Sequence, residues 1–300
     1  MNSQKVLHYN AFSTEQTKGN PAGVVLEADA IDEAKMQAIA KAVGFNETVF
    51  VVQSDKADYR LRYFTPGHEI NLCGHATVAA TYALKTTGRI NADTNEIVIE
   101  TNVGVLPVSF ETKDGELVVT MRQDRPQFLP FHGSVAKLAQ SMGIATDEVD
   151  DRLPVVYGST GTWTLLVPIR SAETLGRMQS VNQDFPDILA ENPRSSVHPF
   201  VIDERPQELR MQARHFSSPY SGTIEDAVTG TASGVMGAYY LTYLHPDRQQ
   251  VEFVVEQGKE LGREGKVYVR VDRQPDGLEV HISGTGVFVE EFEVAYRIAK

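Results

Sequence analysis

The sequence predicts an α+β protein made of two similar halves, each a sheet around a central helix. Three observations carry this. Strand-like runs outnumber helical ones and do not alternate with them, which favours α+β over alternating α/β. The chain also matches itself: Arg62-Tyr-Phe-Thr65 aligns with Arg214-His-Phe-Ser217 at an offset of 152, and Cys73-Gly-His-Ala-Thr77 with Thr229-Gly-Thr-Ala-Ser233 at an offset of 156. Both copies then run into small and apolar residues, VAATYAL and GVMGAYYL, spaced as a helix buried on nearly all sides. The repeated unit is a strand ending in R-x-F-[ST], a loop, and x-G-x-A-[ST] opening a buried helix. Two such units would turn two helix N-termini toward one cleft, although chance similarity of short Gly/Ala-rich segments is a competing reading.

The elements follow in order. VLHYNAF (6–12) is an expected strand, and Gly19-Asn20-Pro21-Ala22-Gly23 then breaks the chain as a turn. Residues 31–43 place Met36, Ile39, Ala40 and Val43 at helical spacing, with Gly44 as C-terminal cap. TVFVV (48–52) reads as a buried strand with Glu47 at its mouth, and further strands are expected at 57–64, 96–101, 105–110 and 116–121. QDRPQFLP (123–130) carries two prolines and reads as a linker. Beyond it come a helix at 134–143, strand pieces around a Gly-rich turn at 155–169, a strand-like run at 207–216 and a β-rich end. The expected division is 1–124 and 125–287, with a final strand of about 288–300 packing back on the first half.

Three hundred residues can bury a full core without staples, and 41% hydrophobic with 23% charged residues is the composition of a soluble globular protein. No run of about 18 apolar residues suggests a membrane span. MNSQKVLHYNAF lacks a basic start and an apolar stretch, so a cytoplasmic location is expected. A net charge of -12 without a Lys/Arg cluster argues against nucleic acid or an anionic membrane as partner. A carboxylate ligand would be attracted locally, by the unpaired N–H groups of a helix start.

Several groups could carry chemistry. Cys73, the only cysteine, and His75 are two residues apart, and a thiol needs a placed base before it is a useful nucleophile. Cys73 can equally be a small buried group before a helix, while His75 at the helix start suits ligand contact or proton transfer. HEINLCGH (68–75) is not the H-E-x-x-H pattern and has no further cysteine for a structural zinc site, so no metal is expected at His68, Cys73 and His75. A phosphate-binding loop is missing, and Gly284-Thr-Gly286 lacks the third glycine of a dinucleotide loop. Glu47, beside an apolar strand, would have its charged form desolvated toward the range of a general acid and base, unless it is a solvated loop residue. Asp226 could cap the second helix or point into the cleft. Asn20 offers an amide at a strand end, where ligands often bind.

Taken together, GNPAGVV (19–25), GFNETVFV (44–51), RYFTPGHEINLCGHAT (62–77), STGTWTLLVP (159–168) and EDAVTGTASG (225–234) resemble the PhzF-like isomerase family of phenazine biosynthesis. EQGKELGR (256–263) resembles that family's late QG…GR motif. The resemblance implies the diaminopimelate epimerase-like fold, with two pseudo-symmetric halves whose mixed, barrel-like sheets wrap a central helix. It implies Glu47 as catalytic acid/base, with Gly74, His75, Asp226, Gly230 and Thr231 binding substrate and the two helix starts holding a carboxylate. It further implies a homodimer that works without metal or organic cofactor. The epimerase relatives use two thiols, one before each helix; here the first position is Cys73 and the second Thr229, an alcohol that cannot serve as a base near neutral pH.

The expected function is a cofactor-independent isomerase moving a proton on a small carboxylate-bearing substrate, with Glu47 as its acid/base. The alternatives are a non-catalytic carboxylate-binding protein and a thiol-dependent epimerase or racemase built on Cys73.

Overall fold

The chain's first strand needs two neighbours, and it draws the second from the far end of the sequence. Asn2–Ala11 pairs antiparallel with Asn20–Val25 on one side and with Gly286–Tyr296 on the other. This arrangement is seen in a computed structural model that describes residues 2–205 and 208–297. The chain divides there into two units. One runs from the N-terminus to Arg122 and takes back the chain from Ser283 onward; the other is Gln123–Ile282. The last three residues of the expected strand 288–300 and the first of the expected run 207–216 lie outside the described residues.

In the first unit, Asn20–Val25 runs parallel to Glu47–Val52, joined by the crossover helix Glu33–Val43. That helix starts where the Asp32 side chain accepts from Lys35 N, and it stops at Gly44, whose φ of 74° is the left-handed cap. Tyr59–Phe64 continues the sheet antiparallel and also pairs, in parallel, with Glu96–Thr101; Gly104–Lys113 and Glu116–Arg122 complete the succession. The first central helix, Gly74–Thr86, has ten buried residues from Gly74 to Leu84, so it presents almost no solvent face.

The second unit repeats the plan with other strands. Gln127–Pro130, Val156–Ser159 and Trp163–Pro168 pair antiparallel in turn, and the last runs parallel to Ser196–Arg205. Glu208–Ala213 follows antiparallel and pairs in parallel with Gln250–Gln257, which meets Gly265–Gln274. Its central helix is Gly230–Tyr239. Gly237 shows how closely that helix is gripped, because a Cβ there would lie 2.6 Å from Val271 Cγ2 and 2.8 Å from Val269 Cγ1. Only the smallest side chain lets the sheet approach this far.

One structural unit occurs twice in atomic detail. Arg62 donates from Nε and Nη2 to the two carboxylate oxygens of Glu69, at 2.8 and 2.6 Å; Arg214 does the same to Glu225, at 2.8 and 2.7 Å. Each guanidinium also covers a phenylalanine, Phe64 at 5.2 Å and Phe216 at 4.8 Å, and each phenylalanine faces the paired glutamate across a two-residue strand. At each helix start a hydroxyl returns a bond to the N-cap carbonyl, Thr77 to Cys73 at 2.7 Å and Ser233 to Thr229 at 2.9 Å. Matching residues thus do matching work, which chance similarity of Gly/Ala-rich segments would not produce.

Two expectations require correction. The GNPAG segment is a strand rather than a turn, since Asn20–Val25 pairs on both sides and the reversal falls earlier, at Gly19 with φ 80°. The segment 123–130 is only partly a linker: Gln127–Pro130 is a strand, with Pro130 at its end where a missing N–H costs little. Among the described residues no helix is long and apolar enough to cross a membrane.

The two Arg–Glu pairs differ in burial, with side-chain exposures of 7% and 9% for Arg214 and Glu225 against 17% and 20% for Arg62 and Glu69. Arg214→Met should therefore destabilise by about 3–5 kcal/mol, because it strands a buried carboxylate. Arg62→Met should cost less, and urea unfolding of the two variants reads the order.

Candidate active site

Glu47 owes its position to the preceding cap. Gly44 ends the crossover helix in the left-handed region, Phe45 and Asn46 turn the chain, and Glu47 opens the strand in register with Ala22. His75 is the second residue of the first central helix, and Cys73 is its N-cap in extended conformation. The fold brings these three side chains together. Glu47 Oε2 lies 3.1 Å from His75 Nε2, and Cys73 Sγ lies 3.4 Å from His75 Nδ1. Glu47 Oε2 is itself buried and closes no well-aligned hydrogen bond, so its contact with the ring is a close ion pair.

The charges follow from this placement. Burial pushes the Cys73 thiol up, and the Glu47 carboxylate pushes it further, against the opposing pull of His75. Cys73 is therefore a thiol, not a thiolate, near neutral pH. For His75, burial alone would remove the ring's proton; contact with the Cys73 sulfur and the Glu47 carboxylate opposes this and raises the pKa above the ordinary imidazole value, and with Cys73 a neutral thiol the charge beside the ring is the carboxylate's. The resulting site is a carboxylate beside an imidazolium, with a neutral thiol behind the ring. Glu47 thus has an imidazole as its neighbour, rather than the purely apolar surroundings expected from its sequence context.

His68 does not join this group. It sits exposed in the Thr65–His68 turn, where Thr65 Oγ1 accepts from its backbone N–H at 3.1 Å. Gly74 is the first residue of the helix and is buried, while Asn20, 1% exposed, begins its strand in register with Ala11.

The second unit assembles its own polar cluster. Thr229 is the N-cap of Gly230–Tyr239, and its hydroxyl donates to Asp226 Oδ2 at 2.6 Å. Thr229 holds the N-cap position, and its own side chain makes no capping hydrogen bond to the helix. Gly230 and Thr231 are the first two residues of the helix, and Thr231 O accepts from Thr160 Oγ1 at 3.0 Å.

Gln257, which is not among the site residues expected from the sequence, ties this cluster together. Its Oε1 accepts from Thr229 N at 3.1 Å, while its Nε2 donates to Asp226 O at 2.9 Å and to Thr229 Oγ1 at 3.3 Å. The next residue must be glycine, because Gly258 has φ 89° and a Cβ there would lie 2.8 Å from Ala227 O and 2.4 Å from Arg263 O. The Q-G pair of EQGKELGR was the visible signal. A cavity of about 440 Å³ in the same unit, lined by Asp150, Arg152, Arg170 and Phe200, contains none of the expected site residues. Both of its arginines are already paired with Asp150.

Two units of mixed sheet, each with a buried central helix, and a carboxylate on a strand beside a histidine at one helix start define an α+β fold of the epimerase-like kind. The comparisons with known proteins then narrow the class. The profile of the family described as "phenazine biosynthesis-like protein" matches residues 9–292, and the chain belongs to this PhzC/PhzF family. It is 47% identical over 290 residues to the uncharacterized isomerase YfhB of Bacillus subtilis, covering 97% of this chain and 98% of that one. It is 28% identical over 289 residues to the trans-2,3-dihydro-3-hydroxyanthranilate isomerase of Pseudomonas aeruginosa, covering 94% and 96%. Among solved structures, a PhzF-family phenazine biosynthesis protein from Bacillus anthracis superposes with a TM-score of 0.94 at 47% identity, covering 98% of this chain and 100% of that one. A hydroxyproline epimerase from Agrobacterium vitis shares the fold at a TM-score of 0.61 and 15% identity, covering 98% and 92%. The protein is an isomerase of the PhzF family with a diaminopimelate epimerase-like fold.

A buried histidine pair lies behind the second cluster. His198 Nδ1 and His215 Nδ1 are 3.0 Å apart, and His215 is in register with Asp226. Burial lowers the pKa of His215 to about 4 despite the opposing pull of Asp226, and lowers that of His198 well below 6.5. A base with a depressed folded pKa contributes full stability above its unfolded pKa and loses it as pH falls through the folded one. Stability should therefore drop between about pH 6.5 and pH 4. His215→Phe should shrink that drop by about 3 kcal/mol, read from urea unfolding at the two pH values.

Proposed function

We propose that this isomerase works without a cofactor and moves a proton on a small carboxylate-bearing substrate, with Glu47 as general acid and base. The observation that carries the reading is the contact between Glu47 Oε2 and His75 Nε2 at the start of the buried helix. A carboxylate anchored by an imidazolium has a fixed direction, and a proton acceptor with a fixed direction can act on one chosen carbon. Glu47 would take the proton from one carbon and return it to another.

Substrate binding falls to Gly74 and His75 in the first unit, to Asp226, Gly230 and Thr231 in the second, and to Asn20. Backbone N–H groups at a helix start suit a carboxylate, since unpaired donors and the macrodipole both favour an anion. The Pseudomonas aeruginosa relative is named for trans-2,3-dihydro-3-hydroxyanthranilate, a partly reduced ring that bears a carboxylate, and a substrate of that class suits these groups. Holding the reacting carbon against Glu47 can account for about 7–11 kcal/mol of a barrier, and acid–base transfer adds typically about 10²- to 10⁴-fold. A homodimer and a cytoplasmic location complete the reading, and sedimentation at micromolar concentration tests the first.

The chemistry of the two N-caps argues against a thiol-dependent racemase. Cys73 is a neutral buried thiol, and its counterpart Thr229 is an alcohol already donating to Asp226. In heavy water, the wild-type protein should exchange a carbon-bound proton of a dihydroanthranilate-type carboxylate. Glu47→Gln should slow this by about 10²-fold or more, and Cys73→Ser should retain most of it. Full exchange by Glu47→Gln would remove Glu47 from the mechanism.

A further inference from the structure

Three donors of different chemistry converge in the first unit: a thiol, an imidazole and a carboxylate. The ligand atoms of Glu47, Cys73 and His75 all lie within 4.8 Å of one another. Two of them, Cys73 and His75, come from one helix start, and Glu47 comes from the neighbouring strand, so the group is held by rigid elements. His75 Nε2 is the shared point, 3.1 Å from Glu47 Oε2 and 3.9 Å from Cys73 Sγ. Glu47 Oε2 is buried without a well-aligned hydrogen bond and faces this same ring nitrogen.

Bond lengths of about 2.0–2.3 Å to sulfur, nitrogen and oxygen require neighbouring ligand atoms roughly 3.3–3.7 Å apart around a tetrahedral ion. Two of the separations are near that range, and the widest needs to close by about 1 Å. A sulfur, nitrogen and oxygen set selects zinc over magnesium or calcium, which prefer oxygen alone.

We propose that Glu47, Cys73 and His75 form a binding site for zinc, which occupies the acid/base residue and switches the isomerase off. Binding replaces the thiol proton of Cys73 and the Nε2 proton of His75, so both protons pass to the buffer while the metal gains a thiolate, a neutral imidazole and a carboxylate. A fourth position stays open for water or a substrate carboxylate. The inhibitory consequence rests on the role proposed for Glu47; the binding itself does not.

Cobalt reports on such a site by its colour. Titrating the full-length protein with Co²⁺ should give one equivalent bound, visible bands of a tetrahedral ion, and a near-ultraviolet thiolate-to-cobalt charge-transfer band that Zn²⁺ abolishes and Mg²⁺ does not. Cys73→Ser should lose the charge-transfer band, and Glu47→Gln should weaken binding by more than about tenfold. Circular dichroism of both variants checks their folding, and in the wild-type protein Zn²⁺ should protect the single cysteine from alkylation. Cobalt bound without the charge-transfer band, or no protection of the wild-type thiol, overturns the site. If the band forms and Zn²⁺ leaves proton exchange untouched, the site stands and the role of Glu47 falls.

Discussion

The pairing of a carboxylate with a buried imidazole at a helix start is the interaction on which the proposed chemistry of this protein depends. His75 lies almost wholly out of water, where a charged ring is costly, and its contacts with the Cys73 sulfur and the Glu47 carboxylate raise its pKa against that cost. The ring in turn gives Glu47 a fixed partner. The same field keeps the thiol of Cys73 protonated, because a second negative charge beside Glu47 would be opposed both by burial and by the carboxylate. A nucleophile, a ring and a carboxylate together would elsewhere suggest a thiol enzyme, but here burial and the Glu47 carboxylate keep Cys73 a neutral thiol.

That interaction exists beside a helix of small residues that is buried on nearly all sides. Gly74, Ala76, Ala79, Ala80 and Ala83 let strands pack closely around the first central helix, and Gly230, Gly234 and Gly237 do so around the second. A helix so enclosed cannot shift or fray at its first turn, so residues at that turn are held to a narrow geometry. Each unit also carries an Arg–Glu pair, partly buried in the first and buried in the second, and a hydroxyl bonded to the N-cap carbonyl. The two copies have diverged in chemistry on an unchanged frame: Cys73 and His75 stand at the first N-cap and the second helical position, Thr229 and Thr231 at the same places in the other copy.

Much of this was legible in the sequence for identifiable reasons. The crossover helix showed through its apolar spacing and Gly44, and the self-match at offsets of 152 and 156 exposed a repeat whose Arg–Glu pairs the structure displays in both copies. Ser196–Arg205 escaped because it joins a buried run containing His198 and Pro199 to a charged end, so it has no clean alternation. Asn20–Val25 was misread because Asn and Pro signal turns locally, whereas pairing on both sides decides a strand. The approach of Glu47 to His75 spans 28 positions and depends on how a strand lies beside a helix, which no spacing rule encodes. Gln257 was hidden for the same reason, since its role consists of bonds to residues 28 and 31 positions earlier.

The ring charge of His75 is the most direct test of the account. Nitrogen NMR of the histidine rings across pH should show His75 doubly protonated through neutral pH, and Glu47→Gln should bring its pKa down to the ordinary value of about 6.5 or lower. A His75 ring that is neutral at pH 7, or one whose titration is the same with and without the Glu47 carboxylate, would contradict it.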